Sequence, residues 1–445
     1  MISSGLDRLR KYNKMSLNKT TTAPSAPGTS TGYARYALGL LLVVYTLNYV
    51  DRQILSILME PIRRELHLTD SQLGLLSGLG FALFYAVAGL PIARLADTAS
   101  RKRIIAGSLA LWSAATAVCG LTSNFAQLLV ARATVAIGES GAAPASHSMI
   151  ADLFPHGKRA TALAVLSCGV PIGILVGLIA GGWLNQMFDW RTAFVVVGLP
   201  GVLLSIVVLL TLKEPLRLGA AEGLAALSWR EALTTLFKIP AYNFLVIGAA
   251  LHAFTSYGAL QWNPAFMIRV HGLTTGQAGL ALGLISGVTG IIGTLAGGWF
   301  ADILGRRNNR WYAWLPAIMI GVRAPLFITA YLAPTPGLAI ACLILPGFLG
   351  NAFTGPVFAT IQTLAPVRAR AFASAWTLFI ISLVGFGLGP LLIGVTSDAL
   401  SPTFGVRGLG YAICLAAVGE IASVVFFLMA ARRLPSEGVV RGPAG

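Results

Sequence analysis

The chain has 445 residues, 56% of them apolar and only 11% charged, whereas a soluble surface carries roughly twice that charge, interspersed. That composition excludes a water-soluble fold. The net charge of +16 first suggests a nucleic-acid partner, and where the basic residues fall decides against it.

In chain order, residues 1–34 are polar, rich in Ser, Thr, Pro and Gly. They read as a flexible cytoplasmic tail with no apolar core of the signal-peptide kind ahead of the first span. Beyond them, runs such as Tyr36–Tyr49 and Leu199–Leu212 lack any charged side chain, and each full segment approaches the ~20 residues that cross a hydrocarbon core as helix. The pattern predicts an all-α membrane protein with twelve spans, near 36–59, 71–95, 104–121, 126–150, 160–183, 191–212, 241–267, 275–300, 311–332, 337–362, 371–396 and 408–430. With both termini cytoplasmic, most Lys and Arg fall on the cytoplasmic side. This positive-inside bias accounts for the net charge without nucleic acid.

The longest internal connection, 213–240, divides the chain into an N-terminal six-helix bundle (35–212) and a C-terminal one (241–431), followed by a tail (432–445). Leu236 and Phe237 in that linker suggest a short interfacial helix. Repetition marks the same boundary. After the second span the chain reads Ala93-Arg94-Leu95-Ala96-Asp97-Thr98-Ala99-Ser100-Arg101-Lys102-Arg103, and after the eighth Gly298-Trp299-Phe300-Ala301-Asp302-Ile303-Leu304-Gly305-Arg306-Arg307. A second echo, Pro144 with Lys158-Arg159-Ala160 against Pro356 with Ala369-Arg370-Ala371, falls at nearly the same offset and indicates a parallel repeat. An aspartate followed by a basic cluster at a helix end can lock one arrangement of the bundles and open in another. Asp97, Arg101, Arg103, Asp302 and Arg306 are the gating candidates; the alternative is an interfacial topology anchor.

Ionisable groups inside spans need a partner, an aqueous cavity or a function. Asp51 and Arg52 interrupt the first span, and Arg132 and Glu139 stand two turns apart on one face of the fourth. The two spans run in opposite directions, so these residues can form a formally neutral four-charge cluster. Desolvation and the arginines pull the carboxylates in opposite senses, and a proton-coupled transporter can exploit that competition. Asp51 and Glu139 are the proton-coupling candidates; a structural ion-pair network is the alternative. Arg323 and Glu420 lie in the ninth and twelfth spans and need not meet.

Polar residues of the seventh span (His252, Ser256, Tyr257, Gln261, Trp262, Asn263) precede Pro264, and those of the tenth (Asn351, Thr354, Thr360, Gln362) surround Pro356. Proline permits a bend whose freed backbone groups face water or ligand. Together with Arg52 and Arg132, the residues His252, Tyr257, Gln261, Asn263, Asn351 and Thr354 are the substrate-binding candidates. Cys119, Cys168, Cys342 and Cys414 lack metal-ligand spacing and read as packing residues. His252 has no second ligand beside it, and no metal or cofactor other than a coupling proton is expected.

The two loop motifs resemble those of the major facilitator superfamily, the second copy closely through Gly298, Asp302, Gly305 and Arg306. The first departs from the pattern, with Ala93 and Ser100 in place of glycines and Thr98 in place of a basic residue. Asn48-Tyr49-Val50-Asp51-Arg52-Gln53, Pro61-Ile62, Ser71-Gln72-Leu73-Gly74-Leu75-Leu76, Arg132, Glu139-Ser140 and the Pro144 to Asp152 stretch resemble the spinster branch in particular. That resemblance implies export or redistribution of lysophospholipids and sphingoid lipids. It puts Asp51, Arg52, Arg132 and Glu139 at the polar centre, where an arginine fork suits phosphate or carboxylate.

The sequence therefore predicts a secondary transporter of an amphipathic anion, working by proton-coupled alternating access in a bacterial inner membrane. Its expected partners are substrate and membrane lipids, and its expected state is a monomer. A carrier of a soluble organic anion or sugar acid is the alternative. A membrane enzyme or sensor finds no nucleophile, metal cluster or catalytic constellation to support it.

Overall fold

The computed structural model describes residues 31–215 and 228–434. Residues 216–227 of the linker and most of the two tails lie outside the described residues. All described regular structure is helical, in the order α1 (Thr31–Leu66), α2 (Asp70–Ser77), α3 (Leu79–Thr98), α4 (Arg101–Cys119), α5 (Phe125–Leu153), α6 (His156–Ser167), α7 (Gly169–Met187) and α8 (Trp190–Thr211). After the linker come α9 (Trp229–Phe237), α10 (Pro240–His271), α11 (Thr275–Gly305), α12 (Trp311–Leu332), α13 (Pro336–Ala352), α14 (Thr354–Leu364) and α15 (Arg370–Ile381). A π-helical segment (Ser382–Leu388) then leads into α16 (Gly389–Phe404), α17 (Gly408–Ala416) and α18 (Val418–Arg433).

Eight helical stretches among the described residues are long and apolar enough to cross a membrane. Helix α1 is not among them: it is 36 residues long and carries Asp51, Arg52 and Glu60. It outruns the predicted span at both ends. Beyond Met59 it continues because Glu60 pairs with Arg63 at i+3 and Arg64 at i+4, 3.2 and 3.0 Å away, and such pairs favour helix where apolarity has ended. The short helix expected in the linker is α9, opened by a reciprocal Ser228–Glu231 capping box.

Small residues set how closely the helices approach. A side chain at Gly177 on α7 would meet the Val50 carbonyl at 2.9 Å, and one at Gly138 on α5 would meet the Trp112 backbone at 2.7 Å. Glycine at these two crossings lets α7 approach α1 beside Asp51 and α5 approach α4 beside Glu139. Within residues 31–215, α1 packs on α7, α4 on α5 and α8, and α3 on α5. Within residues 228–434, α10 packs on α18, and α12 on α13 and α18. The two groups meet where α7 lies along α11, α2 along α16 and α1 against α10.

Candidate functional site

Among the described residues, polar contacts between the two groups gather toward one end. Arg269, at the end of α10, places its terminal nitrogens 2.6 and 2.8 Å from the Asp70 carboxylate and its Nε 2.9 Å from Glu60. Thr69 caps α2 through a box with Gln72 and so fixes Asp70 in the first turn. Asp398 of α16 accepts from the Asp70 and Ser71 backbone N–H groups at 2.9 and 2.7 Å. A carboxylate from one group thereby caps a helix of the other. Ser397 donates to Asp70, Asn185 to Thr275 and Ser56 to the Gln261 carbonyl. Among the described residues, the hydrogen bonds and ion pairs joining the two groups lie from mid-helix to this Glu60 end of α1.

Midway along α1, Arg52 donates from Nε to Glu139 Oε2 at 2.6 Å. Its guanidinium also lies 5.0–5.8 Å from the ring centres of Tyr49, Phe81, Tyr85 and Phe386. Phe386 comes from the π-helical segment and stacks on Tyr257, centroids 3.7 Å apart. A cation enclosed by aromatic faces is stabilised by their quadrupoles, and π-helical turns recur at functional positions because they re-aim a side chain. Arg132 lies over the Phe81 ring at 5.1 Å and donates from Nη1 to the backbone carbonyl of Asp51 at 3.3 Å. Asp51 and Glu139 are buried, and Glu139 Oε1 and Arg132 Nε have no hydrogen-bond partner. The four charges thus share one depth, but only Arg52 and Glu139 pair directly through their side chains.

Other candidates are spread more widely. Gln261 contributes its backbone carbonyl to Ser56, Asn263 accepts from the Tyr331 hydroxyl at 2.5 Å, and Asn351 is exposed and donates back to Gly347. Thr354 opens α14 and is half-buried. His252 lies fully buried between Glu420 and the Gly350 carbonyl. Arg323 and Glu420, whose contact the sequence left open, meet in a buried ion pair. They lie on α12 and α18, which pack together.

At the other end of the molecule, Arg101 is buried and bound to Asp152 at 2.5 Å and Glu214 at 2.8 Å, all within residues 31–215. Glu214 is exposed. What burial it has pushes its carboxyl up, but bonds from the Lys102 N–H, Arg101 and Ser100 outweigh this and hold it below the usual carboxylate range. Arg103 is exposed, and the side chain of Asp97 lies outside the described residues. Asp302 and Arg306 are exposed; Asp302 accepts from the Tyr312 hydroxyl at 3.4 Å and forms no ion pair among the described residues. An apolar groove of about 730 Å³ between α4 and α5 contains Gln127 and Thr134 but no ionisable side chain. It offers nothing to an anion. Among the described residues no His, Cys, Asp and Glu group suits a metal ion.

Sequence reasoning missed Glu60, Asp70, Arg269 and Asp398, because their pairing joins positions some 200–300 residues apart. It also missed Phe386, whose signal was its place among Gly385, Gly387 and Gly389.

The Major Facilitator Superfamily profile matches residues 41–390. An MFS-type efflux pump of Mycolicibacterium smegmatis is 35% identical over 401 residues, covering 89% of this chain and 92% of that protein. Protein spinster homolog 1 of Bos taurus is 29% identical, covering 90% and 81%. The crystal structure of a bacterial homolog to the human lysosomal transporter Spinster, inward-facing and unoccupied, superposes with a TM-score of 0.83 at 30% identity, covering 91% of this chain and 98% of that one. The chain belongs to the Major Facilitator Superfamily, within its spinster-like family, and is a multi-pass membrane transport protein rather than an enzyme.

Proposed function

We propose that this protein is a proton-coupled, alternating-access carrier of an amphipathic anion, a lysophospholipid or sphingoid lipid being the best fit. Two six-helix bundles, 35–212 and 241–431, rock about the Arg52 site in a bacterial inner membrane, with both termini cytoplasmic and one chain sufficient. The observation that carries this reading is Arg52, held by Glu139 on one side and by rings from both groups of helices on the others. Polar joints confined to the Glu60 end support an inward-facing state, in keeping with the similar structure described as inward-facing.

Glu139 and an anionic headgroup compete for the same guanidinium. A proton on Glu139 removes its charge and releases Arg52, so proton and anion favour each other's binding by linkage. Asp51 is the second coupling carboxylate. Arg132, Tyr257, Gln261, Asn263, Asn351 and Thr354 complete the substrate surface, while the rings around Arg52 accommodate apolar chain; His252, a candidate from the sequence, is left out of this surface because it is fully buried against Glu420 and Gly350. Binding of single-chain phosphates of rising length to protein in nanodiscs tests this. Each buried methylene adds up to ~0.8 kcal/mol until the cavity fills. Affinity independent of chain length, with saturable transport of a short soluble anion, would replace the lipid reading with an organic-anion carrier.

A further inference from the structure

Helix α9 takes no part in the proposed carrier site, and its two largest side chains are turned away from the protein. Ala232 and Leu236 are buried and seat the helix against α10 and α15. Trp229, Leu233 and Phe237 recur at every fourth residue and so form one ridge beside that seat. Trp229 is 60% and Phe237 56% exposed. An apolar ridge of this kind calls for a cover, and its position in the molecule says which.

Two stretches long and apolar enough to cross a membrane begin at this helix. One starts at Pro240, directly after the end of α9, and the other at Phe372. The Phe372 ring stacks on Trp376, and Trp376 meets the Phe237 ring edge-on with centroids 6.4 Å apart. From Pro240, α10 runs on to Arg269, so α9 lies at the end of the molecule opposite the Glu60 joint. A ridge at the start of two spans stands where hydrocarbon gives way to headgroups, the level at which aromatic side chains gather.

We propose that α9 is a docking surface for an anionic phospholipid of the surrounding membrane, bound as a neighbour and not as cargo. Its acyl chain covers the Trp229–Leu233–Phe237 ridge, and its phosphate is held by Arg230 and Lys238. Each of these cations follows one of the exposed rings in sequence, and both are exposed and form no ion pair among the described residues. The Arg230 guanidinium lies 5.1 Å from the centre of the Trp229 ring, which keeps its charge beside the ridge. Lys238 has a long apolar stem that reaches along the surface while its ammonium stays in the headgroup layer. The acidic residue of the helix, Glu231, stands on the face away from the ridge, where it accepts from the Ser228 N–H and hydroxyl at 3.0 and 2.8 Å. An amphipathic helix with aromatic rings on one side and unopposed cations at its edge favours a lipid with net negative charge over a zwitterionic one, whose own ammonium competes for the phosphate.

This surface does not depend on the roles proposed for Arg52 and Glu139, and its test reads the helix without any transport. Hydrogen exchange of the α9 amides is followed in full-length protein in nanodiscs of phosphatidylcholine alone and of equal parts phosphatidylcholine and phosphatidylglycerol. We expect exchange on α9 to be about fivefold slower or more with phosphatidylglycerol, with the amides of α12 unchanged. Arg230→Gln combined with Lys238→Gln alters two exposed positions that the fold does not need. In that variant the difference between the two lipids should vanish, while exchange in phosphatidylcholine alone stays as in the parent. Equal exchange in the two lipids would show that the ridge is covered without regard to headgroup charge, and a difference that survives the double substitution would place the anionic lipid elsewhere; each result would overturn the proposal.

Discussion

Arg269 on α10 grips Asp70 on α2 with both terminal nitrogens, and all three partners, Arg269, Asp70 and Glu60, are buried at the contact. Removing Arg269 leaves Asp70 buried without its counter-charge, while Glu60 keeps Arg63 and Arg64; breaking a buried pair in this way costs about 3–5 kcal/mol. Arg269→Gln should therefore open the Glu60 end by 100-fold or more in population. Pulsed dipolar distances between spin labels at the far ends of α1 and α11 check this. A distance distribution identical to that of the parent would show that apolar packing of α2 on α16 and of α7 on α11 closes this end unaided.

Asp302 is a gating candidate whose loop can lock one arrangement of the bundles and open in another. It is exposed here, with one long bond from Tyr312. If its loop locks the molecule, it does so in the opposite conformation, so Asp302→Asn should enrich the present one. The same distance measurement reads the sign; enrichment of the opposite conformation would leave Asp302 an interfacial anchor.

Phe386 closes the ring cage from the second group of helices, at 5.8 Å from Arg52. A cation–π contact in a desolvated site contributes roughly 0.5–2 kcal/mol, and Phe386 also stacks on Tyr257. Phe386→Ala should weaken binding of a single-chain phosphate several-fold, and Phe386→Tyr should largely retain it. Calorimetry of the purified variants measures both.

Glu214 ties the chain after α8 to the start of α4 through Arg101 and the Lys102 N–H, at 2.8 and 3.0 Å. Its carboxyl is held below the ordinary range. The tie is therefore present above that range and is lost only as pH falls through the lowered value. Glu214→Gln keeps the shape but weakens the acceptor. Exchange of the Lys102 amide should speed up in the variant at neutral pH and be unchanged at amides on α12.

Helical class and charge placement were legible because lipid imposes long apolar runs, and a charge such as Glu139 stands out against them. The first-to-fourth span encounter was legible too, since Arg132 and Glu139 share a helix face. What the sequence could not carry was the exact pairing. Arg132 turned to the Asp51 carbonyl rather than its carboxylate, and Arg101 found Asp152 and Glu214 within its own group of helices. Those choices depend on which side chains reach one another once the helices have packed. The Arg323–Glu420 contact was left open for a related reason: two lone charges on different helices give no sequence sign of whether the helices touch.

The central claim is that Glu139 exchanges a proton as Arg52 exchanges its partner. Transport of a single-chain phosphate into proteoliposomes, with and without an imposed proton gradient, tests it most directly when wild type is compared with Glu139→Gln. The variant leaves Arg52 without its counter-charge at 2.6 Å. It should bind the anion at least as tightly as wild type, with affinity no longer rising as pH falls, and lose acceleration by the gradient. Gradient-driven transport at the wild-type rate in Glu139→Gln would contradict the account.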